Sequence, residues 1–151
     1  MSKPATISEI TRVCFVGAGT MGCYNALVSA LAGYEAVLYD KRQESLDAVP
    51  QVQQGLAAMF VGAGFCQQED IDEAFSRTSV NAQLDAAVRN VELVSESVYE
   101  DLQLKRDIHR ELDALCEPHT LLTSNSSGLL ISDIEDAVQR GGLIAALHSH
   151  L

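Results

Sequence analysis

A glycine-rich turn near the N-terminus constrains the fold of this chain more than any other stretch. A short apolar run ends in Gly17-Ala-Gly19-Thr-Met-Gly22, and a helical pattern follows at once. In such a turn the first glycine permits a tight bend, the second lets the backbone approach a pyrophosphate, and the third lets the helix pack closely on the strand. The start of the helix offers free N–H groups and a positive dipole end to the same anion. The stretch therefore predicts that a dinucleotide binds at Gly17, Gly19, Thr20, Met21 and Gly22.

An acidic residue at the end of the next apolar run favours this prediction over a glycine-rich turn that binds nothing. The run Ala36–Tyr39 ends in Asp40, which lies 18 residues after Gly22. Folds of this kind place there the carboxylate that binds the ribose hydroxyls of adenosine, and a carboxylate disfavours a 2′-phosphate. We therefore expect NAD in preference to NADP, and the adjacent Lys41 and Arg42 work against that preference.

Short apolar runs alternate with helical patterns along the rest of the chain, which is typical of a parallel sheet covered by helices. The predicted strands are Arg12–Val16, Ala36–Tyr39, Thr78–Asn81, Val91–Ser97, Thr120–Ser124 and Leu143–Leu147. The predicted helices are Thr20–Ala32, Ser45 to about Gly62, Glu69–Phe75, Leu84–Val88, Leu102–Leu115 and Ser132–Val138, with Pro50 and Gly55 interrupting the second. We expect an α/β fold of the Rossmann type, a doubly wound and mostly parallel sheet with helices on both faces. We expect residues 1–151 to form one such domain, after a loose lead-in over residues 1–10.

Charge and composition argue against several classes of partner. The net charge of −11 disfavours binding to nucleic acid or to an anionic membrane surface. No apolar stretch reaches membrane-spanning length, and the N-terminal residues lack the apolar core of a signal peptide. The four cysteines are scattered without a Cys-x-x-Cys pair, which indicates reduced thiols and a cytoplasmic location. We expect no metal site.

Three polar features fall at the predicted carboxyl ends of strands, where an open parallel sheet binds its ligands. They are Asp40, the turn 125–127, and His148. A histidine can give or take a proton near neutral pH, and a nearby serine hydroxyl can hydrogen-bond a substrate oxygen. Together these groups suit hydride transfer at a secondary alcohol, with His148 taking the hydroxyl proton; the alternative is a surface histidine without a role. No role is expected for the other histidines, His109, His119 and His150.

Three longer stretches match the motifs of a known family. They are Val16-Gly-Ala-Gly-Thr-Met-Gly22, Ser97-Val-Tyr-Glu-Asp-Leu-Gln-Leu-Lys105 and Thr123-Ser-Asn-Ser-Ser-Gly-Leu129. With them the sequence resembles the N-terminal NAD-binding domain of the 3-hydroxyacyl-CoA dehydrogenase family, from Val13 through His148. The third stretch is similar to the family's Ser-Asn-Thr-Ser-Ser-Leu, and its spacing to the histidine also fits.

The resemblance implies an activity and a role for five residues. The activity is hydride transfer between NAD and the 3-hydroxyl of a 3-hydroxyacyl-CoA. Glu100 and Lys105 match a pair near the cofactor, with the lysine beside the ribose and nicotinamide. Asn125 matches a cofactor-proximal asparagine that can brace its loop. Ser127 matches the family's substrate-binding serine, and His148 matches its catalytic histidine.

Two departures from the family concern the end of the sequence. The family usually places an asparagine three residues after the histidine, where this chain has Leu151. The glutamate that orients the histidine, and the helical second domain that completes the substrate cleft and forms the dimer, would lie beyond that residue. We therefore expect an incomplete cofactor domain, with its activity alone left open, and a homodimer in the full-length form.

A third departure concerns the substrate. Coenzyme A carries phosphates that need basic partners, yet nothing between Arg42 and Arg77 is basic while six residues there are acidic. This keeps open a sister branch of the family that acts on small free hydroxy acids and resembles gulonate or carnitine dehydrogenase. A non-catalytic NAD-binding module, and a structural protein on an abandoned dehydrogenase fold, also stay open.

Overall fold

A computed structural model of the chain describes residues 7–140 and 144–149. The predictions made for residues 1–6, Leu143, His150 and Leu151 lie outside the described residues. A short 3₁₀ turn at Ile7–Glu9 leads into the sheet. The strands are β1 Arg12–Val16, β2 Glu35–Tyr39, β3 Thr78–Asn81, β4 Leu93–Glu96, β5 Leu121–Ser124 and β6 Ile144–Ala146. The helices are α1 Thr20–Leu31, α2 Gln43–Gly62, α3 Gln68–Ser76, α4 Leu84–Ala87, α5 Leu102–Leu115 and α6 Ile131–Glu135.

These strands form one sheet in the order β3-β2-β1-β4-β5-β6, and every pair is parallel. Successive side chains of a strand point to opposite faces, so each face receives its own apolar core. On β1, Val13 and Phe15 pack on the face covered by α1, α2 and α3. Cys14 and Val16 pack on the opposite face with α5 and α6. The doubly wound α/β prediction is confirmed.

Most helix bounds lie within two residues of their predictions, and two helices, α2 and α6, depart in an informative way. Helix α2 runs unbroken through Pro50 because its buried stripe, which includes Leu46, Val49 and Leu56, follows a helical spacing against the core. Pro50 itself is exposed, so its ring adds no bulk to the buried stripe. Helix α6 ends at Glu135, earlier than predicted, because the next backbone bonds are tight i to i+3 contacts such as Ala137 N to Ile134 O. None of the described helices is long and apolar enough to cross a membrane.

The topology brings the site to one edge of the sheet. The chain runs outward from β1 through β2 to β3, and then crosses back to β4 on the other side of β1. The carboxyl ends of β1 and β4 therefore flank the point where strand order reverses, which is where doubly wound sheets bind their ligands. The glycine turn (residues 17–22) leaves β1 at this point.

Candidate functional site

Two glycines of the glycine turn are required by backbone geometry. Gly17 has φ +105°, and a Cβ there would lie 2.6 Å from the carbonyl oxygen of Ser97 at the end of β4. A Cβ on Gly22 would lie 1.9 Å from the carbonyl oxygen of Gly17. Larger residues would push α1 away from the turn, so these positions fix how closely helix and strand approach.

The remaining glycine of the turn faces open space. A Cβ on Gly19 would meet nothing within 4 Å. Helix α1 begins at Thr20 without a side-chain cap and without an acidic residue in its first turn. Its first N–H groups therefore face a clear approach, with Thr20 exposed and Met21 half-buried beside them. This cradle fits the pyrophosphate of a dinucleotide.

Asp40 joins the end of β2 to the glycine turn. Its Oδ2 accepts a hydrogen bond from Ala18 N at 3.1 Å, and its Oδ1 accepts one from Arg42 N at 2.9 Å. The Arg42 Nε lies 3.6 Å from the same Oδ1, and the guanidinium lies 5.9 Å from the centre of the Tyr99 ring. The carboxylate thus sits beside the cradle, where the sequence predicts it, with a cation next to it.

Ser127 and His148 meet at the same edge of the sheet. Ser127 Oγ lies 2.9 Å from His148 Nε2, and both side chains are exposed. Parallel pairing of β5 with β6 brings them together, since it sets the residues that follow the two strands side by side. The sequence predicts each residue at a strand end, and the fold brings the two into contact.

Asn125 braces this contact from the protein side. Its Oδ1 accepts hydrogen bonds from Ser149 N at 2.8 Å and Ser149 Oγ at 3.3 Å, and its Nδ2 lies 3.4 Å from Ser97 Oγ. The asparagine therefore fixes the backbone immediately after His148, a longer-range role than the bracing of its own loop.

Glu100 holds the serine turn (residues 126–129). Its Oε1 accepts hydrogen bonds from Ser126 Oγ and from the amides of Ser127 at 3.1 Å, Gly128 at 2.8 Å and Leu129 at 3.3 Å. Partial burial raises the pKa of this carboxyl, but the bonds from Ser126 and Gly128 and the nearby ammonium of α5 outweigh burial and lower the pKa to about 2.

Lys105 lies in a buried polar cluster (Glu96, Lys105, His109 and Ser124). Its Nζ is 2.8 Å from Glu96 Oε1 and 3.4 Å from Glu100 Oε2, and its side chain is only 1% exposed. Ser124 Oγ donates to Glu96 Oε2 at 2.6 Å, and His109 Nε2 lies 3.5 Å from that oxygen without good hydrogen-bond geometry. Burial raises the pKa of Glu96, but His109, Lys105 and Ser124 together hold it below its usual value.

Sequence reasoning missed most of this cluster. The resemblance places Lys105 beside the cofactor, and that role stays a prediction; the structure adds contacts of its ammonium with Glu96 and Glu100. His109, to which no role was given, is completely buried. Two signals were present: an acid at the end of the apolar strand β4, and the spacing of Lys105, His109 and Leu112 on one face of α5.

A separate cavity of about 460 Å³ lies between α1, α2 and α3, away from these residues. Among the residues that line it are Tyr24, Phe60 and Phe65. None of the predicted site residues lines it. Over residues 7–140 and 144–149, no group of three or more His, Cys, Asp or Glu side chains is placed to hold a metal ion.

Comparison with known proteins identifies the family. The sequence model of the family described as 3-hydroxyacyl-CoA dehydrogenase, NAD binding domain, matches residues 12–150. The chain belongs to this family. NAD is the cofactor of this domain, in agreement with the glycine turn and Asp40.

Relatives of the 3-hydroxyacyl-CoA dehydrogenase family share both sequence and fold with the chain. A probable 3-hydroxybutyryl-CoA dehydrogenase of Bacillus subtilis is 29% identical over 140 residues, covering 93% of this chain and 48% of that protein. The crystal structure of M. tuberculosis FadB2 matches with TM-score 0.86 and 31% identity, covering 92% of this chain and 49% of that one. The 3-hydroxybutyryl-CoA dehydrogenase of Escherichia coli matches with TM-score 0.84 and 29% identity, covering 92% of this chain and 29% of that one.

The chain spans about half the length of the curated relatives it matches. These comparisons do not favour the branch that acts on free hydroxy acids.

Proposed function

We propose that this domain serves an oxidoreductase that transfers a hydride between NAD and the 3-hydroxyl of a 3-hydroxyacyl-CoA. The observation that carries the proposal is the Ser127–His148 contact of 2.9 Å at the edge of the sheet that also holds the glycine turn. An acid–base histidine and a hydroxyl beside a dinucleotide cradle are the groups that oxidation of a secondary alcohol requires. Relatives named for 3-hydroxyacyl-CoA and 3-hydroxybutyryl-CoA support the substrate class.

In this proposal the cofactor lies along the glycine half of the edge. The amides after Gly19, at Thr20 and Met21, hold the pyrophosphate, and Asp40 accepts the ribose hydroxyls of adenosine. The bound nicotinamide supplies the hydride acceptor. Each Asp40 oxygen already accepts one protein N–H, and a carboxylate has lone pairs left for the two hydroxyls.

The reacting groups of the protein are Ser127 and His148. In the direction of oxidation His148 accepts the substrate's hydroxyl proton at Nε2, the nitrogen that now contacts Ser127 Oγ. Ser127 Oγ hydrogen-bonds the substrate oxygen and holds it against the imidazole. In the reverse direction His148 returns the proton to the oxygen, so one residue serves both directions.

The test follows NADH by fluorescence as the protein is added, and then follows its consumption with acetoacetyl-CoA or with free acetoacetate. The 151-residue chain is tested alone and with the helical domain of a family member supplied in trans. We expect NADH binding in both cases, and consumption with acetoacetyl-CoA when the helical domain is present. His148→Gln should bind NADH normally and lose turnover by about 100-fold or more.

The outcomes separate the alternatives. If NADH is consumed with acetoacetate but not with acetoacetyl-CoA, the substrate is a free hydroxy acid. The acidic residues of α2 and α3 would explain that outcome, because they disfavour the phosphates of coenzyme A. Binding without any turnover, even with the helical domain present, would indicate a non-catalytic module. Turnover that survives His148→Gln would overturn the assignment of the base.

We also propose that residues 1–151 act as a single domain and that the full-length form is a homodimer. We propose further that it works in the cytoplasm without a nucleic-acid or membrane partner.

Support for a reducing compartment comes from the thiols, since Cys14, Cys23, Cys66 and Cys116 are all free. Burial raises the pKa of Cys23 to about 11, which makes that thiol unreactive.

A further inference from the structure

We propose that the cavity between α1, α2 and α3 binds a small organic cation, an ammonium group that carries alkyl substituents. The cavity holds about 460 Å³. That volume lies within the range of about 300–1,000 Å³ that small-molecule sites occupy. None of the residues assigned to the cofactor or to proton transfer lines it. The cavity is therefore a second site, and the proposal does not rest on the proposed function.

The first argument is the aromatic part of the cavity wall. Tyr24 of α1, Phe60 of α2 and Phe65 just after α2 all line the cavity. The ring centres of Tyr24 and Phe60 lie 5.9 Å apart, and those of Phe60 and Phe65 lie 6.3 Å apart, both pairs edge to face. The ring of Phe65 is 81% exposed, so most of its surface is available to a ligand. Ring faces carry negative charge and attract cations, above all alkylated ammonium groups.

The second argument is the charge of the same wall. Asp70, Glu73 and Arg77 are among the side chains that line the cavity. The guanidinium of Arg77 pairs with the carboxylate of Glu73, and its Nη1 donates to the carbonyl oxygen of Ala30 at 3.3 Å. Because this ion pair is neutral as a whole, the carboxylate of Asp70 makes the wall negative.

The carboxylate of Asp70 is held in place and keeps room for a ligand. Its Oδ2 accepts a hydrogen bond from Gln67 N at 2.8 Å at the start of α3. A carboxylate accepts about four hydrogen bonds, so lone pairs remain for a cation. Glu69 and Asp72 are exposed on the same helix and add to the negative potential around it.

The combination of rings and carboxylate selects one class of ligand. An anion would be repelled by Asp70, and a purely apolar ligand would remove water from that carboxylate without replacing its hydrogen bonds. An alkylated ammonium satisfies both parts of the wall, because its alkyl groups pack on the rings while its charge faces the carboxylate. A metal ion does not fit, since no group of three or more His, Cys, Asp or Glu side chains in the described part of the chain is placed to hold one.

The experiment titrates choline into the 151-residue chain labelled with nitrogen-15, at constant ionic strength. The matched ligand is 3,3-dimethylbutan-1-ol, which has the shape of choline with a carbon atom in place of the charged nitrogen. Shifts of the amide resonances give both the dissociation constant and the place of binding. The variants are Asp70→Asn and Phe65→Leu. Their controls are Asp85→Asn, on the exposed first turn of α4, and Tyr99→Leu, an exposed ring that does not line the cavity.

We expect choline to move the amides of Phe65, Cys66 and Asp70, which line the cavity. Choline should bind about tenfold more tightly than the neutral alcohol, the combined size of a cation–π contact and an exposed ion pair. Asp70→Asn keeps an oxygen for the amide of Gln67 and should weaken choline binding about fivefold, while leaving the affinity for the alcohol unchanged.

Loss of the exposed ring should give a smaller effect than loss of the charge. Phe65→Leu keeps an apolar side chain but removes the ring face, so it should weaken choline binding about threefold. Asp85→Asn and Tyr99→Leu should bind choline as the wild type does. Saturating NADH should leave the choline shifts in place, because the two ligands occupy different sites.

Several outcomes would overturn the proposal. They are the absence of any choline-dependent shift, equal affinities for choline and the alcohol, and losses in the control variants that match those in Asp70→Asn and Phe65→Leu. Displacement of choline by NADH would place choline in the cofactor cradle and overturn it as well. Circular dichroism checks folding; if one of the two cavity variants is unfolded, the other decides by the same criteria.

Discussion

The two halves of the site edge are built by different means. The glycine half (β1, α1 and β2 with the glycine turn) is shaped by missing side chains: a Cβ on Gly22 would lie 1.9 Å from the carbonyl oxygen of Gly17. The serine half (β4, α5, β5 and β6 with the serine turn) is shaped by side chains that hold one another, as Lys105 does between Glu96 and Glu100. Steric space shapes the glycine half, whereas charge and hydrogen bonds shape the serine half.

This difference decides what each half tolerates. A turn defined by space is encoded within six consecutive residues and fails when a methyl group is added at Gly17 or Gly22. A turn defined by charge depends on residues separated by up to 29 positions, and fails when one charge of a buried set is removed. Substitutions can therefore test the halves separately.

Loss of the buried cation should give the largest effect. Lys105→Met leaves the carboxylate of Glu96 buried without its main partner, which we expect to cost about 3–5 kcal/mol in the free energy of unfolding. Urea denaturation measures the loss, and Lys41→Met, on an exposed lysine, should be neutral. Adding Glu96→Gln to Lys105→Met should recover part of the loss; a double variant no better than the single one would contradict the charge argument.

An added methyl group at Gly22 should destabilise the glycine half nearly as much. Gly22→Ala brings its Cβ against backbone that cannot move aside, and we expect a cost of about 3 kcal/mol together with loss of NADH binding. Thermal unfolding and fluorescence titration measure the two.

Gly19→Ala is the matched control, since its Cβ faces open space. It should melt like the wild type and yet bind NADH less tightly, because the methyl group occupies the approach to the cradle. Equal NADH affinity in Gly19→Ala and the wild type would mean that the pyrophosphate lies elsewhere.

Removal of the acid beside the cradle should weaken cofactor binding moderately. Asp40→Ala loses the acceptor of the ribose hydroxyls, and we expect NADH affinity to fall by about tenfold or more, as for hydrogen bonds to a charged group. Fluorescence titration measures it. Asp40→Asn keeps one oxygen acceptor and should lose less; unchanged affinity in Asp40→Ala would contradict the ribose assignment.

The cation next to that acid should tune the choice of cofactor. Arg42 lies 3.6 Å from Asp40 Oδ1 and is half exposed, so it can pair with a 2′-phosphate. Arg42→Ala should lower NADPH affinity by about fivefold, the size of an exposed ion pair, and leave NADH affinity unchanged. Lys41→Ala is the control; parallel losses for both cofactors would show that Arg42 does not discriminate.

Acid should weaken the serine half by a smaller amount. The pKa of Glu100 falls from 4.5 to about 2 on folding, so its stabilising contribution is complete above about pH 4.5 and is lost as the pH falls toward 2. Glu100→Gln should therefore show a shallower decline in stability over this range than the wild type. Urea denaturation at a series of pH values measures the slopes, and identical slopes would contradict the assignment.

The sequence predicted the glycine half better than the serine half because of how far apart the partners lie. The strand Arg12–Val16 and the helix Leu102–Leu115 were predicted with their observed bounds, since apolar spacing sets both. The predicted interruption of α2 at Pro50 is absent, because burial of one helix face overrides the local effect of the proline.

No apolar spacing in the sequence indicated the contacts between residues that lie far apart in the chain. The meeting of Ser127 with His148 followed from parallel strand order, which places strand ends together without fixing side-chain contacts. The burial of Lys105 and His109 did not follow from the apolar residues of α5 alone, because of the three residues buried on this helix only Leu112 is apolar. The partnership of Glu100 with the serine turn spans 26 to 29 positions and depends on the folded sheet.

The four hydrogen bonds that Glu100 Oε1 accepts show which side chains of the serine turn can vary and which cannot. Three of the four donors are backbone amides, which every residue except proline supplies, so the side chains of Gly128 and Leu129 are free to diversify without unseating the turn. A Cβ on Gly128 would approach Glu100 Oε1 only to 3.6 Å, an ordinary contact. Selection for new substrates can therefore replace the side chains at Gly128 and Leu129, while Glu100, which accepts the hydrogen bonds of the turn, is retained.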